Sequence, residues 1–218
     1  RLLDALFMFG MIFAGLLFPM FSRQLKTSVP VVLDLVKTSA NLLLGGIVII
    51  VFVTVFNSSL ILGWIYNDVK DAIGPFQFLM LGFFPIGMNF IFGTLLTANG
   101  NLKVLNSISA IGILANISIN IVLIPQHGAL GAAIATFATQ GVTAVAQFLY
   151  CIQKFKIPKK PTGILKFILL AGGLYYISDF FYHSPYLMLI QIMTGLGLIF
   201  MLSLIDLKAI KKLILTSK

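Results

Sequence analysis

The chain alternates between long apolar stretches and short polar gaps. Seven stretches reach or approach the roughly 20 apolar residues that a helix needs to cross a bilayer core of about 30 Å. They cover residues 2–21, 40–66, 76–97, 102–124, 129–152, 164–181 and 187–205. The pattern predicts an all-α fold, a polytopic transmembrane bundle of seven helices.

Positive charges lie on alternate sides of these stretches. Thirteen of the fifteen Lys and Arg residues follow the first, third, fifth or seventh stretch, and only Arg1 and Lys70 lie on the other side. Short loops that carry Lys and Arg stay in the cytoplasm, so these basic gaps are predicted to be cytoplasmic. The predicted topology has the first residue outside and the C-terminus inside.

Composition strengthens the membrane prediction and narrows the partners. The chain is 59% hydrophobic and only 10% charged, with a mean hydropathy of +1.06, which leaves too little polar surface for a soluble globule. The net charge of +9 comes from dispersed cations without interleaved aromatic residues, which favours anionic membrane lipids over nucleic acid as partners. Cys151 is single and His127 and His183 are isolated, so neither a metal site nor a cofactor is expected.

Three segments outside the spans have their own predicted roles. Residues 29–36 are apolar around Asp34 and too short to cross, so we expect an amphipathic turn or helix at the inner interface. A basic linker, residues 154–163, divides a five-helix part, residues 1–153, from two trailing helices and a tail, residues 164–218. The chain enters a span at once, without Met, which predicts that it is the C-terminal part of a longer protein.

Polar and small residues recur at helical spacing in three successive spans. These predicted faces comprise Gly82, Pro85, Asn89, Gly93 and Thr97 on the third span, Asn106, Ser109, Asn116 and Asn120 on the fourth, and Thr136, Thr139, Gln140, Thr143 and Gln147 on the fifth. Each such face should avoid lipid.

Two interpretations of these faces stay open for any single residue. Amide and hydroxyl side chains can join helices to one another, or they can line a water-filled cavity for a polar cargo. Three faces together favour the cavity, with Asn89, Asn116, Asn120, Gln140 and Thr143 as its candidate residues. Ser118 is predicted to lie on the opposite, lipid-facing side of the fourth span.

Two further features lie at span ends. The run of small residues from Gly128 to Thr136 predicts very close packing at the start of the fifth span. Arg1 and Asp4 are three residues apart at the start of the first span, so their side chains are neighbours. They form either a compensated pair at membrane depth or an exposed pair at the outer interface.

The order of motifs resembles that of bacterial polysaccharide flippases of the Wzx-like type, whose superfamily includes the lipid II flippases and the multidrug and toxin extrusion transporters. Residues 1–23 are similar to the eighth helix of those flippases, and residues 95–103 (LLTANGNLK) to a short inner turn. Residues 124–136 (IPQHGALGAAIAT) resemble the helix entry P-x-x-G-A-x-G-A-A-x-A-T, the most specific of the three signals.

The resemblance implies a carrier that moves an undecaprenyl-diphosphate-linked oligosaccharide across the bacterial cytoplasmic membrane by alternating access. This chain would supply most of the second lobe and two trailing helices. Its partners would be the missing N-terminal lobe and, as a further candidate, a polysaccharide polymerase. Carried over by position, Arg1 becomes a ligand of the lipid headgroup. Asp4 becomes its partner or an ion-coupling carboxylate.

Other classes fit the residues less well, and no enzymatic activity is expected. A retinal protein needs a Lys in its last helix, and residues 187–205 contain none. A membrane-embedded glycosyltransferase or ligase needs grouped carboxylates or His residues, which the outer gaps lack. A multidrug extruder of the same superfamily is the closest alternative, but Asp4 is the only acid available to its cavity.

Overall fold

A computed structural model describes residues 2–157 and 161–204, and within these ranges all regular secondary structure is helical. The helices are α1 (Leu2–Leu25), α2 (Val29–Phe56), α3 (Ser58–Gly63), α4 (Lys70–Leu81), α5 (Phe83–Ala98), α6 (Leu102–His127), α7 (Ala129–Phe155), α8 (Pro161–Phe180) and α9 (Leu187–Met201). Among the described residues, six helical segments are long and apolar enough to cross a membrane, with α4 and α5 together forming one of them, Lys70–Ala98. The chain is therefore an all-α, multi-pass membrane protein.

The last predicted span is shorter in the structure than in the sequence pattern. Helix α9 has 15 residues, which at 1.5 Å per residue is about 22 Å, less than a bilayer core of about 30 Å. The last residue of the predicted span, 205, and the basic tail after it, residues 206–218, lie outside the described ranges. The count of seven spans stays a prediction.

Residues 29–36 are helical, but the prediction that they are separate from the second span is wrong. These residues form the first two turns of α2, which continues without a break to Phe56. Val32, Leu35 and Val36 are buried against the end of α1, while Asp34 and Lys37 are exposed. The two charges do not interrupt the helix because both lie on its exposed side.

The second and third predicted spans also differ from the observed helices. Helix α2 ends at Phe56, and the predicted remainder of that span, to residue 66, contains the short α3 and a turn. The third span is divided into α4 and α5 at Gly82. Pro85 lacks an N–H, so the carbonyl of Leu81 loses its usual helical partner, which accounts for a break at this point.

Three hydrophobic clusters hold the bundle together. One joins the end of α1 and the start of α2 to the ends of α5 and α7, through buried residues such as Phe21 and Leu95. A second, containing Met80, lies at the opposite end of the bundle between α2, α3 and α4. The third joins Ile49 of α2 to α8 and α9, so the two trailing helices pack directly on the five-helix part.

The predicted close packing at the start of α7 is confirmed. A Cβ on Gly131 would overlap the carbonyl group of Leu123, in the last turns of α6. Gly128, between the two helices, has a φ of +55°, a conformation that residues other than glycine rarely adopt. The small residues let α6 and α7 form an antiparallel pair whose backbones touch.

Candidate functional site

The predicted polar faces of α5 and α7 meet inside the bundle. The Nδ2 of Asn89 donates hydrogen bonds to Oε1 of Gln140 at 2.8 Å and to Oγ1 of Thr143 at 3.3 Å. Thr143 in turn donates to the carbonyl of Gln140 on its own helix. Three of the predicted site residues are therefore brought into one hydrogen-bonded group.

A second group joins α6 to α7. The Nδ2 of Asn116 donates to Oγ1 of Thr139 at 3.1 Å, and the Nδ2 of Asn120 donates to Oδ1 of Asn116 at 2.9 Å. Both groups use α7 as their common element, near the middle of its length. Together with Gln147, one turn beyond Thr143, they form what we call the amide row: Asn89, Asn116, Asn120, Thr139, Gln140, Thr143 and Gln147.

Two glycines let the helices approach at the amide row. A Cβ on Gly112 of α6 would lie 2.6 Å from Cγ2 of Thr143, and a Cβ on Gly93 of α5 would lie 3.1 Å from Oε1 of Gln147. Such separations are below normal van der Waals contact. The row is therefore a tightly packed seam between α5, α6 and α7.

Three oxygen atoms of the amide row have no hydrogen-bond partner among the described residues. They are Oδ1 of Asn89, Oδ1 of Asn120 and Oε1 of Gln147, and all three atoms are buried. Gln147 is only 5% exposed. A buried polar group without a partner costs about 1–3 kcal/mol, and a water, a hydroxyl group or a cation would satisfy it. The row therefore has acceptor capacity that the helices do not use.

The remaining predicted residues lie apart from this seam. Asp4 is exposed in the first turn of α1, and Arg1 lies outside the described residues, so the predicted pairing stays a prediction. Asn106 and Ser109 belong to the predicted face of α6 but are exposed. Ser118 is exposed on α6 and donates to the carbonyl of Leu114 in its own helix, as expected for a lipid-facing hydroxyl.

Sequence reasoning missed another polar group, which we call the closed network. The Nδ2 of Asn57 donates to Oε1 of Gln191 at 2.8 Å, and the Nε2 of Gln191 donates to Oγ of Ser178 at 2.7 Å. Gln191 and Ser178 are 0% exposed, and Asn57 is 8% exposed. The network ties the end of α2 to α8 and α9.

The signal for the closed network in the sequence was weak. Asn57 and Ser178 lie at the ends of α2 and α8 beside other polar residues, and Gln191 has only Thr194 one turn away, so none of the three belongs to a long polar face. A lone Asn or Gln in a span is an indication of burial against a partner helix. It does not indicate which helix supplies the partner.

The described positive charges lie at the end of the bundle where α1 ends and α2 begins, which we call the basic end. Arg23 and Lys26 lie at that turn, Lys103 at the start of α6, and Lys154 at the end of α7. The Nζ of Lys166, near the start of α8, donates to the carbonyl of Ser203 beyond α9 at 3.2 Å. Within the described ranges only Lys70 lies at the other end.

No group of three or more His, Cys, Asp or Glu side chains that could hold a metal ion occurs within residues 2–157 and 161–204. The buried polar side chains of the described residues are amides and hydroxyls, which form hydrogen bonds.

Comparisons with protein-family models, with curated proteins and with solved structures found no match to this chain. Its function has to be inferred from the residues of the bundle and from the motif resemblance at residues 1–23, 95–103 and 124–136.

Proposed function

We propose that the chain is part of a membrane transporter that moves a lipid-linked oligosaccharide, an undecaprenyl-diphosphate-linked sugar, across the cytoplasmic membrane of a bacterium. It would contribute most of the second lobe of a two-lobe carrier that alternates between inward-open and outward-open states. The basic end would face the cytoplasm, because Lys and Arg are concentrated there. The first residue would then lie outside.

The observation that carries this proposal is the amide row with its three unused acceptor oxygens. A seam that only joined helices would be expected to use its polar atoms internally, because an unpaired group at membrane depth is costly. Oligosaccharides are rich in hydroxyl donors, which suit amide oxygens. The break between α4 and α5 at Gly82 is a second supporting feature, since interrupted helices are common in transporters.

The amide row does not supply the positive charge that a diphosphate needs. Amide oxygens accept hydrogen bonds, whereas a diphosphate needs cations or N–H donors. In the proposal the headgroup is held by Arg1 and by cations of the missing lobe. The sugar is held along the row in an open state of the carrier, in which α5, α6 and α7 move apart and expose the buried oxygens. The transporter performs no covalent chemistry on its cargo.

Cysteine accessibility in the full-length protein tests the cavity. With Cys151 replaced, single cysteines at Asn116, Asn120 or Gln140 should react with a small water-soluble thiol reagent, and a cysteine at Ser118 should not. Labelling should fall by about tenfold or more when a lipid-linked sugar fills the cavity, because the bound cargo excludes water from the row. Equal protection at all four positions would show that the row only joins helices.

A second experiment addresses the headgroup. In cells whose only copy of the full-length protein carries Arg1→Ala, surface polysaccharide should be strongly reduced, and Arg1→Lys should reduce it less, because Lys offers a point charge instead of a planar fork. Asp4→Asn should be milder than Arg1→Ala if Asp4 only pairs with Arg1. Normal polysaccharide with Arg1→Ala, at normal protein abundance, would contradict the assignment.

A further inference from the structure

A crevice separates α1 and α2 in the halves that lie away from the basic end. It has a volume of about 300 Å³, and α5 forms its floor. Its walls are apolar throughout, from Phe9 and Gly10 of α1 across Phe90 of α5 to Leu42, Gly46 and Ile50 of α2. The crevice lies on a different side of α5 from Asn89, whose amide points at α7.

The crevice is open between α1 and α2. Phe9, on its α1 rim, is 62% exposed, and Leu42 and Ile50, on its α2 rim, are 39% and 36% exposed. Toward the basic end the same two helices are in direct contact, where Leu17 and Phe21 are buried in one cluster with Val32 and Leu35. Helices α1 and α2 therefore diverge from the turn that joins them and leave a gap that opens on the exposed surface of the bundle.

The shape of the gap limits what can enter it. Its α2 wall runs from Leu42 to Ile50, eight residue steps or about 12 Å. A helix segment of that length, about 10–12 Å in diameter with its side chains, would occupy roughly 1,000 Å³, which is more than the gap offers. A single extended hydrocarbon chain fits its proportions.

The chemistry of the walls points the same way. Water needs two to four polar partners in a cavity, and a cationic drug needs an acid or an acceptor, but the lining offers only hydrocarbon side chains. An empty gap would leave the wall atoms without dispersion contacts on one side, and a chain from the surrounding bilayer would restore them. The gap is open at the surface between Phe9 and Ile50, where such a chain could enter.

Gly46 lies on the α2 wall of the crevice and faces its empty space. A Cβ added at Gly46 would meet no atom within 4 Å, whereas one added at Gly10 would overlap the ring of Phe90, and one added at Gly87 would overlap Ile47. The other two glycines therefore serve packing between helices. The absence of a side chain at Gly46 keeps the crevice open.

We propose that the crevice is a binding site for one acyl chain of a bilayer phospholipid, held between α1, α2 and α5. The occupied site fills the gap between the diverging helices and completes the packing of α1, of which only Gly10, Leu17 and Phe21 are buried. The proposal is independent of the transported cargo.

Photo-crosslinking in nanodiscs tests the site. The full-length protein is reconstituted with a phospholipid that carries a photoreactive diazirine in its acyl chain, and the labelled residues are mapped by mass spectrometry. Labelling at Phe9, Leu42 and Ile50 should exceed that at the exposed residues Ile113 and Leu114 of α6 by about threefold or more, because a chain packed in the gap keeps its contacts for longer.

Filling the gap provides the matched variants. Gly46→Leu should lower crevice labelling by about fivefold because its side chain occupies the space, and Gly46→Ala should lower it less. Gly15→Leu, on α1, is the control, because Gly15 also has no atom within 4 Å of an added Cβ but does not line the crevice. Labelling in Gly15→Leu should match the parent protein.

Two results would overturn the proposal. Equal labelling of the crevice and of α6, unchanged by Gly46→Ala and Gly46→Leu, would show that no chain is held there. Stronger crevice labelling by a diazirine-bearing polyprenyl phosphate than by the phospholipid, at equal mole fractions, would show that the site serves a polyprenyl chain instead. If the Gly46→Leu protein does not accumulate, crevice labelling is compared between Gly46→Ala and Gly15→Leu, and lower labelling in Gly46→Ala supports the site.

Discussion

The closed network and the amide row are built from the same kinds of side chain but use them differently. In the closed network, Gln191 donates to Ser178 and accepts from Asn57, so both ends of its amide are used between α2, α8 and α9. In the amide row, Gln147 is buried to a similar extent, yet its Oε1 has no partner in the described structure. Burial of a polar residue therefore does not by itself distinguish a joint between helices from a site with capacity for a ligand.

The distinction lies in whether donors and acceptors balance. An Asn or Gln amide carries two N–H donors and an oxygen that accepts, and a joint between helices can match these within the protein. Each polar group that stays unpaired at membrane depth lowers the free energy of unfolding by about 1–3 kcal/mol. A cost of this kind is expected at functional sites more often than at joints.

Replacing Gln191 should produce the largest change in stability. Gln191→Met keeps a similar volume but removes both interhelical hydrogen bonds of the closed network, which should lower the free energy of unfolding by about 1–3 kcal/mol. The measurement is denaturation of the reconstituted protein by increasing detergent. Thr194→Val is the control on the same helix, because Thr194 bonds only to carbonyls of α9. An effect no larger than that of the control would show that the network adds nothing to stability.

Replacing Asn89 should affect stability less and transport more. Asn89→Leu removes two hydrogen bonds to α7 but also removes an unpaired oxygen, so the net loss of unfolding free energy should be about 1 kcal/mol or less. Export of surface polysaccharide by the full-length protein should fall by about tenfold, since the row loses contact with its cargo. Thr97→Val is the matched variant, because Thr97 donates only to Gly93 of its own helix. Equal export by both variants would refute a role for the row in binding.

Replacing Gln147 should change stability least and makes the comparison most direct. Gln147→Met is the same substitution as at Gln191, but it removes an oxygen that has no partner. The free energy of unfolding should stay unchanged or rise by up to about 1 kcal/mol. Measured beside Gln191→Met in the same detergent titration, a loss as large as at Gln191 would mean that the two regions are equivalent.

The sequence predicted which residues of the candidate site share one face of a helix, and where two consecutive helices pack closely. The spacing of Thr139, Gln140 and Thr143 placed them on one face of α7, and hydropathy placed that face away from lipid. The small run at Gly131 likewise indicated close contact with α6. The hydrogen bonds that join these faces could not be predicted, because they depend on how far each helix is rotated and shifted against its neighbour.

Where the predicted helices differ from the observed ones, the difference has a local physical cause. The charges of Asp34 and Lys37 indicated an interfacial segment, but both lie on the exposed side of α2, so the helix passes them without a break. The division of the third span at Gly82 follows from Pro85, whose effect on the backbone the apolar pattern does not show. Hydropathy counts apolar residues and is insensitive to a missing N–H.

The sequence alone determined that this chain is a helical membrane protein and which faces of α5, α6 and α7 are polar. Length, hydropathy and the 3.6-residue period are local properties, and the bilayer requires each span to satisfy its own backbone. Tertiary structure decided which polar groups are paired and which are left with unused oxygens. Asn57 and Gln191 are 134 residues apart, and only the packing of α9 on α2 brings the Nδ2 of Asn57 to the Oε1 of Gln191. The same packing of helices decided that α1 and α2 diverge and leave a crevice beside Gly46.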